Sequence, residues 1–139
     1  MKRGMKILGI TILCIIIAII STIVIFNLCF TKVSARYTNY EQDGYYTYFY
    51  IDIKNETFTN YFINSDDCIL MVNEEPLKAT NIMLNNTNEY KKQINLSSRN
   101  NHTITIKFYC IKELIDKPIQ LFIKGKQIEF NNFSQINKD

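Results

Sequence analysis

The side chains best suited to chemistry in this chain of 139 residues are tyrosines, cysteines, a single histidine and a few carboxylates. Tyr46, Tyr48 and Tyr50 take alternate positions in one segment, which in a β-strand would place three aromatic rings in a row on one face. Flat rings that carry a hydroxyl suit a glycan or a protein partner. The alternative is that this face packs beneath a loop or a second sheet. We therefore name these three tyrosines as the candidate partner-binding residues.

The four cysteines fall into two pairs. Cys14 and Cys29 share one apolar segment, in which a helix keeps them about 22 Å apart, beyond the reach of a disulfide. Cys68 and Cys110 lie in strand-like runs, and in an oxidising compartment such a pair often forms a bridge. We predict a disulfide between Cys68 and Cys110, with two reduced, buried thiols as the alternative. The spacing fits neither a CxxC redox pair nor a zinc site.

His102, the only histidine, stands at the start of a strand-like run without the nucleophile and orienting group that acid–base catalysis requires. We expect a solvent-exposed residue at a strand end. Asp66, Asp67, Glu74 and Glu75 carry the hard oxygen ligands that calcium prefers, but their spacing is not that of an EF-hand and favours two solvated turns. The sequence therefore predicts no catalytic residue, cofactor or metal site, and no enzyme.

The distribution of charge and glycine removes two further classes of function. The net charge is +3, yet from Arg36 onward 12 basic residues, scattered along the chain, face 13 acidic ones. Nucleic-acid binding requires a concentrated positive face. Gly44 and Gly125 are the only glycines in this region, too few for a phosphate-binding loop or a dinucleotide fingerprint. Nucleic-acid-binding proteins and nucleotide-dependent enzymes are thereby excluded.

Residues 7–30 read ILGITILCIIIAIISTIVIFNLCF, a run without charge. As a helix of about 36 Å it crosses a hydrocarbon core of about 30 Å. Basic residues at positions 2, 3 and 6 mark residues 1–6 as cytoplasmic, so the remainder is exported and the chain is a single-pass cell-membrane protein. The length of the run favours an uncleaved signal anchor. The small residues of Val33-Ser34-Ala35 leave open a signal peptide cleaved after Ala35 and a secreted domain.

Beyond an expected polar stalk over residues 31–44, apolar residues recur with a period of two, which is typical of strands. In residues 103–111, for example, Ile104, Ile106 and Phe108 share one face. Turn-forming residues separate eight such runs, at 45–54, 58–63, 68–72, 77–84, 90–96, 103–111, 119–123 and 127–130. We predict an all-β, antiparallel sandwich of seven or eight strands over residues 45–130, followed by a frayed tail at 131–139.

Four segments in this order carry a resemblance to a known group of domains: YFYIDIKNET, CILMV, INLSSRNNHTITIKFYCI and IQLFIKGKQIEF. Together they resemble the small extracytoplasmic immunoglobulin-like domains of unknown function found in Gram-positive bacteria. The resemblance implies an immunoglobulin-like β-sandwich outside the cytoplasm. It transfers no catalytic residues to this chain.

Glycosylation sequons begin at five asparagines, namely Asn55, Asn85, Asn95, Asn101 and Asn132. Interpreted as chemistry, they indicate a viral type II membrane glycoprotein or a component of a viral entry complex. Interpreted as composition, which we favour, they follow from a chain rich in Asn, Ile, Lys and Tyr. The leading hypothesis is a membrane-anchored, non-enzymatic binding or assembly module with a protein or cell-envelope partner.

Overall fold

The computed structural model describes residues 2–29, 31–110 and 112–137. The chain divides into two compact units, Met1–Thr31 and Lys32–Asp139. The first contains helix α1 (Lys2–Cys29). Its length and composition allow it to cross a membrane, which confirms the predicted apolar helix. Phe30, at the end of the predicted span, lies outside the described residues.

Two hydroxyl groups within α1 are satisfied by the helix itself. Thr11 Oγ1 donates to the carbonyl oxygen of Ile7 at 2.9 Å, and Thr22 Oγ1 donates to that of Ala18 at 2.8 Å. Each bond joins a residue to the preceding turn. These two threonines therefore present no unpaired hydroxyl to a lipid environment.

In its described residues the second unit contains strands and one 3-10 turn, Ser65–Asp67. The described strands are β1 (Val33–Asp43), β2 (Tyr46–Asn55), β3 (Tyr61–Asn64), β4 (Cys68–Val72), β5 (Glu75–Lys78), β6 (Asn81–Leu84), β7 (Glu89–Lys91), β8 (Gln93–Leu96), β9 (Asn100–Tyr109), β10 (Ile119–Ile123), β11 (Lys126–Ile128) and β12 (Ser134–Gln135). They form a six-stranded sheet in the order β12-β1-β2-β9-β6-β7, a four-stranded sheet in the order β11-β10-β4-β5, and the pair β3-β8. Each of these pairings is antiparallel, which confirms the predicted antiparallel β domain.

Strands β2 and β9 form the centre of the six-stranded sheet and follow the alternation read from the sequence. Phe49 pairs with Ile106, and Ile51 pairs with Ile104. All four side chains are buried. The period of two therefore directs one face of each strand into the core, and on the other face of these two strands only Thr105 is buried.

Residues of all three sheets form a single hydrophobic core. Its largest fully buried side chains are Phe49, Phe108, Ile51, Ile53, Ile63, Leu70, Ile82, Leu96, Ile104, Ile106, Leu114 and Leu121. The two larger sheets also meet at the chain that follows β11. There the amide of Tyr37 donates to the carbonyl oxygen of Glu129 at 3.2 Å, beside a bulge in β1. The core is thus shared by the sheets instead of belonging to one of them.

Three predictions about elements differ from the structure. Residues 31–44 are not a polar stalk, because Val33–Asp43 is a strand along β2 whose Val33 and Ala35 are fully buried. The predicted tail contains β12, which pairs with Ser34 and Ala35. The number of strands is twelve in the described residues, where seven or eight were predicted, because two predicted runs each split into two strands and because β1 and β12 lie in the predicted stalk and tail.

Candidate binding surface on the six-stranded sheet

The three candidate tyrosines lie on the outer face of the six-stranded sheet. Tyr46, Tyr48 and Tyr50 are each half-buried, whereas the alternating Thr47 and Phe49 are completely buried. None of the three tyrosines belongs to the hydrophobic core or packs against it. The rings therefore stand in a row on the side of β2 that faces away from the core, as the partner-binding interpretation requires.

Residues from β7 and β9 extend this row into a surface. Tyr109 is paired with Tyr46 across the strands, and their ring centroids are 5.7 Å apart. Tyr90 approaches Tyr48 with a centroid distance of 6.4 Å. We call the five residues Tyr46, Tyr48, Tyr50, Tyr90 and Tyr109, together with Lys107, the tyrosine surface.

Lys107 lies at the centre of the tyrosine surface. Its Nζ is 4.1 Å from the ring centroid of Tyr46, 5.3 Å from that of Tyr90 and 6.0 Å from that of Tyr48. Aromatic rings attract a cation through their negative faces. The ammonium group is thus held among the rings, where it adds a hydrogen-bond donor to an otherwise aromatic surface.

Tyr50 ends the row and is fixed by a carboxylate on β1. Its hydroxyl donates a hydrogen bond of 3.0 Å to Glu41 Oε2. Burial, followed by this hydrogen bond and the charge of Glu41, raises the pKa of Tyr50 above its usual value. Burial and the neighbouring Tyr48 also raise the pKa of Tyr90. Both tyrosines are therefore neutral hydrogen-bonding groups at physiological pH.

Sequence reasoning named three members of the tyrosine surface and missed Tyr90, Tyr109 and Lys107. The alternation in residues 103–111 already placed Tyr109 and Lys107 on one face of their strand. Assigning that face to the tyrosine row required the register of β2 against β9, which pairs Tyr48 with Lys107. Tyr90 carried no signal of its own.

Cys68 and Cys110 are both free thiols, so the predicted disulfide is absent. Cys68 begins β4 opposite Ile123, whereas Cys110 lies beside Val72 at the other end of that strand. Four residues of extended chain separate Cys68 from Val72 by about 13 Å. A disulfide needs Cα atoms within about 7 Å. The two cysteines are instead small buried residues, and burial raises the pKa of the Cys68 thiol.

The other candidate groups do not assemble into a reactive site. His102 is half-buried near the start of β9, not solvent-exposed as expected, and its Nε2 lies 3.1 Å from the carbonyl oxygen of Ser97 and 3.4 Å from Ser97 Oγ. Ser97 Oγ also accepts a hydrogen bond from Asn100 Nδ2 at 3.0 Å. Among the described residues, no group of three or more histidine, cysteine or acidic side chains is placed to hold a metal ion.

The five sequon asparagines differ sharply in exposure. Asn95, Asn101 and Asn132 are exposed, and Asn85 is half-buried. Asn55 is buried, with only 1% of its surface exposed. A glycan on Asn55 is therefore incompatible with the folded domain.

Comparison of this chain with protein-family models, with curated proteins and with solved structures finds no match. Function must therefore be argued from the surfaces of the molecule. The tyrosine surface contains all three candidate residues named from the sequence.

Proposed function

We propose that this chain is a membrane-anchored binding or assembly module. Its β domain lies outside the cytoplasm, and its tyrosine surface contacts a protein or a component of the cell envelope. The observation that carries this proposal is the group of five tyrosines on the outer face of the six-stranded sheet, three of which surround Lys107. We also propose that the sheets form an immunoglobulin-like sandwich, and the single core that they share supports this arrangement.

The composition of the tyrosine surface supports binding. Tyrosine offers a large rigid contact area at a low cost in side-chain entropy, and it is enriched at the centres of protein interfaces. Tyr109 keeps 49% of its surface exposed and Tyr90 keeps 37%, so a partner has aromatic area to cover. Lys107 and Glu41 add one charge of each sign, which gives a partner a defined orientation.

The position of Ala35 supports an uncleaved anchor over a secreted domain. Cleavage after Ala35 would remove Val33 and Ala35 from the core, where both are fully buried. It would also remove Ser34 and Ala35, the two residues with which β12 pairs. Basic residues at positions 2, 3 and 6 support a cytoplasmic N-terminus. In this proposal the chain remains in the membrane through residues 7–30.

A binding role without catalysis agrees with the chemistry of the domain. In the part of the chain that the structure describes, the contact between His102 and Ser97 has no carboxylate hydrogen-bonded to the histidine ring. Such an orienting group is part of the Ser-His-Asp arrangement. No cofactor is invoked, and the balanced charge of the exported part disfavours nucleic acid as a partner.

Chemical cross-linking of the full-length protein in its native membranes tests the proposal. The variant Y46S/Y48S/Y50S removes three rings from the tyrosine surface, and we expect it to lose the cross-linked products of the wild-type chain. The matched control is Phe62→Ser, which removes an exposed ring from β3. Equal cross-linking by the wild type and the triple variant would refute the assignment of the tyrosine surface.

The exposed sequons favour a second candidate function, a viral type II glycoprotein or entry-complex component. Asn95, Asn101 and Asn132 all stand on accessible surface. Enzymatic deglycosylation of the protein from its native source separates the candidates. A shift in electrophoretic mobility would support the glycoprotein, and an unchanged mobility would support the unglycosylated module.

A further inference from the structure

A half-open cavity of about 220 Å³ lies between the edge strand β5 and the end of β9. Among the described residues, those that line it are Val72, Glu75, Leu77, Tyr109, Cys110 and Lys112. Most of this lining is apolar, and the two charged residues form an ion pair with each other. The cavity is therefore an apolar hollow whose charges are already neutralised.

The size of the cavity suits one aromatic side chain. A buried apolar cavity of about 150 Å³ holds a benzene molecule. Sites for drug-sized ligands and cofactors occupy about 300 to 1,000 Å³. At about 220 Å³ the half-open cavity has room for a single ring system, and the rest of a larger ligand would lie outside it.

Tyr109 makes the cavity continuous with the tyrosine surface. Its ring lies 5.7 Å from the ring of Tyr46 and 6.2 Å from that of Tyr45, and the same residue lines the cavity. A ligand that contacts Tyr109 on the tyrosine surface thus also contacts a residue of the cavity wall. Anchor residues at protein interfaces are commonly aromatic side chains that fill such desolvated pockets.

We propose that this cavity takes an aromatic side chain of a protein partner whose remaining contacts lie on the tyrosine surface. The inference rests on the proposed function and selects a protein over an envelope glycan as the partner. An apolar cavity supports this choice, because a sugar would place hydroxyl groups against Val72, Leu77 and Cys110 without hydrogen-bonding partners.

Titration of the full chain in lipid nanodiscs with N-acetyl-tryptophanamide tests this inference. The readout is the nuclear magnetic resonance of the methyl groups of Val72 and Leu77. We expect saturable shifts at these two residues and none at Leu96, a buried residue of the separate β3-β8 pair that lies near Asn55, at the end of β2 opposite the Tyr46–Tyr109 pair. The control probe N-acetyl-glycinamide carries no ring and should cause no shift. If the shifts are absent, or if both probes cause equal shifts, the inference is overturned. This test uses only the wild-type protein.

Amino-acid substitutions test whether the cavity contributes to binding of the partner. Leu77→Trp fills the cavity and is expected to abolish the shifts at Val72 and to lower cross-linking to the partner at least tenfold. Gln120→Trp, which places the same ring at an exposed position on β10, should change neither result. If the folded Leu77→Trp variant still cross-links and the cross-linking depends on the tyrosines, the inference about the cavity is refuted and the proposed function stands. Cross-linking that is independent of the tyrosines refutes the proposed function.

Discussion

Asn55 performs a structural task that its sequon does not reveal. Its Nδ2 lies 3.0 Å from the carbonyl oxygens of Thr59 and Leu96 and 3.2 Å from that of Ser97. Its Oδ1 accepts a hydrogen bond from the amide of Thr57 at 3.1 Å. One buried side chain therefore joins the loop after β2 to the end of β8. The motif Asn-Glu-Thr by itself left a glycan acceptor open as an interpretation, because sequence alone carries no information on burial.

We expect Asn55→Ala to lower the free energy of unfolding by about 3 kcal/mol, since it leaves buried carbonyl oxygens without a donor. Chemical denaturation of the full chain in micelles measures the change. Asn95→Ala, which removes a sequon asparagine from an exposed position, should change stability by less than about 0.5 kcal/mol. Equal stability of the two variants would contradict the structural role of Asn55.

The Tyr50–Glu41 pair gives the tyrosine surface a measurable pH dependence. The pKa of Tyr50 is raised from 10.0, first by burial and then by Glu41. Glu41→Gln should lower that pKa while leaving it above 10.0, because burial remains. Neutral Tyr50 contributes favourably to the free energy of unfolding. This contribution is complete below pH 10.0 and is lost as the pH rises through the pKa of Tyr50 in the folded protein. The pKa of Tyr50 is measured from the ultraviolet absorbance of tyrosinate as a function of pH, with Tyr50→Phe as the reference. An unchanged pKa of Tyr50 in Glu41→Gln would contradict the interaction between Tyr50 and Glu41.

At the scale of elements, the alternating pattern located most strands but not the sheet to which each belongs. Residues 77–84 read as one strand, whereas the structure divides them between β5 in the four-stranded sheet and β6 in the six-stranded sheet. Residues 90–96 divide in the same way between β7 and β8. A chain that passes from one sheet to another keeps its alternation on both sides of the break. Periodicity therefore cannot reveal the crossing.

The sequence pattern did not predict strand β1, and the reason is a different one. Only its first residues, Val33 to Ala35, are buried, and most of its second half is exposed. When only about a third of a strand is buried in the core, its apolar residues do not alternate with polar ones along the whole strand. Its pairing with β2, which sets its place in the sheet, is a contact that local sequence does not display.

Ala35→Glu tests whether β1 belongs to the domain. A carboxylate at this fully buried position should lower the free energy of unfolding by roughly 4 kcal/mol. The matched control is Asn39→Glu, at an exposed position of the same strand, with an expected change of less than about 0.5 kcal/mol. Thermal denaturation of both variants provides the comparison. Tolerance of both substitutions would indicate a stalk in place of the strand.

At the scale of the whole molecule, the sequence predicted an apolar helix followed by an antiparallel β domain, and both are present. The tyrosine row was also predictable, since its residues are neighbours on one strand. Lys107, Tyr90 and the cavity were not, because they depend on pairings among β2, β6, β7 and β9 and on the position of β5. The proposed binding surface thus depends on contacts between strands that are distant in the chain.

Photo-cross-linking in intact cells tests most directly whether the tyrosine surface meets a partner. A benzophenone amino acid is placed at position 48, in the middle of the row, and in a second chain at position 120, an exposed site on the four-stranded sheet. We predict a discrete cross-linked product from position 48 and none from position 120. The same products from both positions, or none from position 48, would contradict a binding role for this surface.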